Sequence, residues 1–106
     1  MPLVKVCSVD EVPDGEMRRY EFDGLRVAVA NCGTDGFRAI DAICSHAHYF
    51  LDEGELDCDL GTIECPKHGS TFDLETGKAR TLPATLPVAV YPVKIENDDL
   101  WIEVQP

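Results

Sequence analysis

The sequence predicts an all-β domain, an antiparallel sandwich or barrel. Three observations carry this reading. Short runs near both ends alternate apolar and polar residues, turn signals separate them at close spacing, and no run has a convincing helical period. A chain of 106 residues suits one domain, 1–106, and its 44 % hydrophobic content is ordinary for a globular protein.

Residues 4–9 alternate with period two, and Pro13-Asp14-Gly15 turns the chain. Residues 17–22 read as a second strand, and Asp23-Gly24 is a two-residue hairpin signal leading into residues 25–30. Gly33-Thr34-Asp35-Gly36 turns into a short strand over 37–42. From Ile43 to about Pro87 the periodicity fails, with short strands expected only at 61–64 and 70–73 and a turn at 75–78. Alternation resumes over 88–91 and 93–96, and Asn97-Asp98-Asp99 turns into a last strand, 100–104. A long irregular middle in a β scaffold is commonly functional.

Twenty acidic against nine basic residues leave a net charge of −11. Phosphate backbones and anionic membranes are repelled by such a field, so nucleic-acid and membrane partners are not expected. The charge serves either solubility as a monomer or steering toward basic patches on partner proteins. The start, Met1-Pro2-Leu3-Val4-Lys5, lacks a targeting pattern, and no stretch approaches the ~20 apolar residues of a membrane span. Five cysteines, two of them in a ligand pattern, argue against a secreted disulfide scaffold and for a reducing cytoplasm. Cys7, Cys32 and Cys58 lie on or near predicted strands and are expected as small buried thiols.

The irregular middle holds two ligand pairs, Cys44-Ser45-His46 and Cys65-Pro66-Lys67-His68-Gly69. Each offers a thiolate and an imidazole on a loop, and two such loops can close on one metal centre. Iron and zinc both accept these ligands. Zinc half-sites usually pair like with like, whereas mixed half-sites suit a binuclear cluster with both cysteines on one iron and both histidines on the other. His48 lies two residues after His46 and is a further imidazole in the first loop.

At these residues the chain resembles the Rieske ferredoxin family, whose pattern is Cys-x-His, a spacer, then Cys-x-x-His-Gly. The agreement continues through Ser70-Thr71-Phe72-Asp73, Glu75-Thr76-Gly77-Lys78-Ala79, the proline-containing stretch Leu82-Pro83-Ala84-Thr85-Leu86-Pro87, and Tyr91-Pro92-Val93. The resemblance implies a Rieske fold with a small cluster-binding subdomain of two loops, about 43–50 and 64–72, and a covering loop at about 82–87. It implies one 2Fe–2S cluster, with Cys44 and Cys65 on the inner iron and His46 and His68 on the outer. It further implies a one-electron carrier without catalytic residues, fed by a flavin-dependent reductase and feeding a terminal oxygenase. Gly69 would let the backbone approach the cluster and Pro66 would stiffen the loop. Other readings stay open: a Rieske subunit of nitrite reductase or of iron–sulfur assembly, or a zinc-stabilised interaction domain.

The high-potential branch of the family ties its two loops by a disulfide, at positions that are Tyr49 and Lys67 here. Its cluster-bonding serine matches Ser70, but its assisting tyrosine is Phe72. The expected potential is therefore low in the Rieske range, on the order of −150 to 0 mV. The acidic run Asp52, Glu53, Glu55, Asp57 and Asp59 is expected as a solvated or docking face, and Trp101 as core.

Overall fold

The computed structural model describes residues 3–22, 24–33, 36–44, 49–67, 69–82 and 86–104. Among these residues ten strands form three antiparallel sheets, with no α-helix. Strands β1 (Leu3–Ser8), β10 (Asp99–Glu103) and β9 (Val93–Glu96) make the first sheet, in the order β1-β10-β9. The second runs β2 (Met17–Phe22), β3 (Leu25–Asn31), β4 (Phe37–Asp41), β8 (Val90–Tyr91). The third is a small meander of β5 (Glu55–Asp57), β6 (Thr62–Glu64) and β7 (Thr71–Asp73).

The middle of β3 explains the layering. Val27, Ala28, Val29 and Ala30 are all fully buried, so this strand is covered on both faces. Val27 and Val29 pack with Cys7, Val12, Ala39, Leu100 and Ile102 against the first sheet. Ala28 and Ala30 point the other way, into a core shared with Ile40, Leu51, Ile63, Phe72 and Leu74 under the small sheet. Each buried valine contributes roughly 1.5–3 kcal/mol by leaving water. The small sheet thus rests on the central sheet, and it carries the candidate ligand loop around Cys65.

Most strands lie where alternation places them, and four differences have physical reasons. Strand β5 falls inside the acidic run, where Leu56 between Glu55 and Asp57 is too short a pattern to register. Strand β8 begins only at Val90, because the Val88 amide leaves the β4 ladder and donates instead to the Gly77 carbonyl (2.8 Å). Trp101 is not core: Leu100 and Ile102 are the buried residues of β10, and Trp101, on the opposite face, is half-buried beside Leu3 and Asn97. Cys32 and Cys58 are not thiols. They form a disulfide with Cα atoms 5.3 Å apart, and their separation of 26 residues gave no sign of it. Among the described residues no helix is long and apolar enough to cross a membrane.

Candidate metal centre

The first ligand loop is closed at its base by an antiparallel bridge between Ile43 and Phe50. The Cys44 amide donates to the Tyr49 carbonyl (3.0 Å), and the Leu51 amide to the Ala42 carbonyl (2.7 Å). The second loop joins β6 to β7. The Cys65 amide donates to the Ser70 carbonyl (2.7 Å) and the Gly69 amide to the Cys65 carbonyl (3.1 Å). Among the described residues each cysteine therefore stands at the last position where these backbone hydrogen bonds tie the two arms of its loop.

Cys44 and Cys65 are buried, 3 % and 1 % exposed, and they belong to one cluster of packed side chains with Leu51, Ile63 and Phe72. Both are thiols, outside the Cys32–Cys58 disulfide. Two thiols converging from separate hairpins under an apolar roof fit an iron–sulfur centre. Their soft sulfur donors would ligate as thiolates, and the surrounding side chains exclude water. His46, His48 and His68 lie outside the described residues, as do residues 83–85 of the covering loop. The described ends of that loop, Leu82 and Leu86, are exposed, and the Thr81 hydroxyl before it accepts from the Thr71 amide (2.8 Å).

The loops also meet through side chains. Lys67 of the second holds its Nζ 5.8 Å from the centre of the Tyr49 ring of the first. Below them, the Arg19 guanidinium of β2 lies 3.6 Å from the centre of the Phe50 ring. It also pairs with Asp52 (3.6 Å), Glu53 (3.7 Å) and Glu21 (3.4 Å). Burial pushes the Asp52 carboxyl above its ordinary value, and the Arg19 charge works against that rise. Asp52 is thus a half-buried partner of Arg19 rather than part of a solvated face, while Glu55, Asp57 and Asp59 are exposed.

Sequence reasoning missed Arg19 and Gly54. Arg19 stands in a strand of alternating residues, where nothing marks it as reaching the ligand loop. Gly54 follows the 3-10 turn Leu51–Glu53, and a Cβ there would lie 1.7 Å from the Glu64 carbonyl oxygen. For Gly69 the reason for glycine is conformational. Its φ of +74° disfavours a side chain, and among the described residues a Cβ would meet only Glu64 Oε1, at 3.8 Å. Ser70 and Phe72, the residues read as tuning the potential, are both fully buried.

The chain is similar to known proteins in sequence and fold. The family described as Rieske [2Fe-2S] domain matches residues 2–92. The 3-phenylpropionate/cinnamic acid dioxygenase ferredoxin subunit of Shigella flexneri serotype 5b (strain 8401) is 41 % identical over 104 residues, covering 98 % of this chain and 95 % of the relative. The solved ferredoxin of carbazole 1,9a-dioxygenase from Nocardioides aromaticivorans IC177 superposes with a TM-score of 0.92 at 33 % identity, covering 99 % of this chain and 100 % of that one. A ferredoxin-like match also comes from a complex of reduced oxygenase and oxidized ferredoxin in carbazole 1,9a-dioxygenase. Its TM-score is 0.85 at 34 % identity, covering 94 % of this chain and 91 % of that one.

Proposed function

The chain belongs to the Rieske 2Fe–2S family, and we propose that it is the one-electron carrier of an aromatic-ring-hydroxylating dioxygenase system. The observation that carries this reading is the pair of buried thiols, Cys44 and Cys65, brought from separate loops into one packed cluster. It is an electron-transfer component and not itself an enzyme, as its ferredoxin relatives are.

The ligand set we assign is Cys44, His46, Cys65 and His68, within a single domain over 1–106 whose loops run at about 43–50, 64–72 and 82–87. When bound, the 2Fe–2S cluster accepts and releases one electron. The protein's part is to hold and shield it. Cys44 and Cys65 supply the anionic donors from the buried side, and Leu51, Ile63 and Phe72 keep that side dry. His46 and His68 supply neutral donors, and replacing two thiolates by imidazoles lowers the negative charge that opposes reduction.

Its partners in this reading are a flavin-dependent reductase as donor and a terminal oxygenase as acceptor. The complex of oxygenase and ferredoxin in a related system supports the second. The charge of −11 steers the carrier toward basic surfaces. We take it to act as a cytoplasmic monomer.

Iron, zinc and acid-labile sulfide analysis of freshly purified protein tests the reading. Two irons and two sulfides per chain are expected for one cluster, with a reddish-brown colour that changes on reduction. Zinc without sulfide, in colourless material, would overturn it. His46→Cys should keep a cluster with an altered spectrum and potential. An unchanged spectrum would remove His46 from the ligand set.

A further inference from the structure

We propose that Cys32–Cys58 is a thiol–disulfide switch, opened by a low-potential dithiol, that straps the cluster-binding subdomain to the β scaffold. The inference rests on the cluster reading above for its consequence, but the strap itself stands on separate geometry.

Cys32 follows β3 on the central sheet, where its amide is held by the Gly36 carbonyl (2.9 Å). Cys58 follows β5, in the turn before β6. Among the described residues the small β5-β6-β7 sheet shares no strand pairing with either larger sheet. Backbone ties cross at its margins, from Leu51 to Ala42 and from Val88 to Gly77. The disulfide is a covalent tie between the two bodies, with Cα atoms 5.3 Å apart, inside the ordinary disulfide range. Cys32 also belongs to the packed cluster that contains Cys44 and Cys65, and Cys58 packs against it. Loosening the strap therefore loosens the packing around the ligand thiols.

The site is reachable. Both cysteines line a surface groove of about 260 Å³, with Arg38, Asp59 and the 68 % exposed Leu60 beside them. Cys58 is the less buried partner. A thiolate of the dithiol attacks Cys58 Sγ, the Cys32–Cys58 bond breaks, and Cys32 leaves as a thiolate that takes a proton from solvent in a groove lined by Arg38 and the carboxylates of Asp59, Asp73 and Glu75. The reductant's second thiol then attacks the mixed disulfide and releases Cys58. Two electrons and two protons reach the protein as two thiols, and the reductant departs as its own disulfide.

The test uses the cluster-loaded protein and a C32S/C58S variant, each with and without dithiothreitol. Alkylation under denaturing conditions followed by peptide mass analysis should label Cys32 and Cys58 only after the dithiol. Dithiothreitol should lower the urea midpoint of the wild type and speed cluster bleaching by about tenfold or more, given the loop of this length that is released. The variant should start at the reduced wild-type values and not respond. Labelling of both cysteines in untreated protein, or equal responses in wild type and variant, would overturn the proposal. Should the variant not fold, reoxidation of the reduced wild type with diamide must restore the slow rate, and failure to do so counts against the switch. Protein without labile sulfide refutes the carrier reading, while labelling and urea unfolding still decide on the strap.

Discussion

Lys67 and Tyr49 face each other across the two ligand loops, with Nζ 5.8 Å from the ring centre. These are the positions at which the high-potential branch of the family carries its disulfide. Here a cation–π contact takes the place of a covalent tie. Such contacts at exposed sites are worth about 0.5–1 kcal/mol, far less than a disulfide. Lys67→Glu should therefore speed cluster loss only about two- to fivefold, measured by bleaching at fixed temperature. No change, or outright loss of the cluster, would show that the contact has been wrongly weighed.

Gly54 makes a much tighter contact. Its backbone presses on Glu64, the residue before Cys65, so the exit of the first loop and the entrance to the second are in register. The Cβ of Gly54→Ala would meet the Glu64 carbonyl oxygen at 1.7 Å, and backbone cannot swing aside as a side chain can. A loss of about 1–3 kcal/mol or more is expected in urea unfolding, with reduced iron content. A variant that unfolds like the wild type and binds a full complement of iron would refute this.

Arg19 holds the base of the first loop through Phe50 and Asp52. Arg19→Met removes the ring contact and leaves the half-buried Asp52 carboxylate without that cation, at a cost of about 1–3 kcal/mol. Arg19→Lys restores the charge without the flat stacking surface and should recover only part of the loss. Urea unfolding and cluster bleaching of both variants check the order. Full recovery by lysine would assign the whole effect to charge.

Alkaline stability should depend on Cys7 and Tyr20. Burial pushes both their protons off at higher pH than usual, partly opposed at Cys7 by its hydrogen bond with Tyr20 and assisted at both by the Glu11 carboxylate. The native state therefore keeps protons that the unfolded chain releases. Their contribution is full below roughly pH 8.5 for the thiol and 10 for the phenol, and is lost as pH rises toward the raised native values. Cys7→Ala should flatten the fall of the urea midpoint above about pH 8.5. An unchanged slope would mean that the thiol does not contribute.

The potential is expected on the order of −150 to 0 mV, since Phe72 has no hydroxyl to add to that of Ser70. Ser70→Ala should lower it by roughly 60 mV, a tenfold shift in the reduced-to-oxidised ratio. Redox titration of both proteins gives the values. A wild-type potential above about +150 mV would overturn the reading of these two residues.

The β scaffold and the candidate pair of buried cysteines were legible in the residues themselves. Alternation of apolar and polar residues is a local property of a strand, and Cys44 and Cys65 announce themselves by their spacing to nearby histidines and glycine. The run 27–30 shows the limit of that reading, because continuous apolar residues identify a strand without saying which sheets cover it. Strand β5 escaped because one leucine between two acids makes no period.

What folding alone decided are the relations between distant residues. Whether Cys32 meets Cys58, whether Arg19 lies under Phe50, and whether Gly54 must leave room for Glu64 depend on how three sheets stack. The physical reason is that pattern and propensity act over a few neighbouring residues, whereas these contacts join segments brought together only when the apolar faces of β3 are covered from both sides.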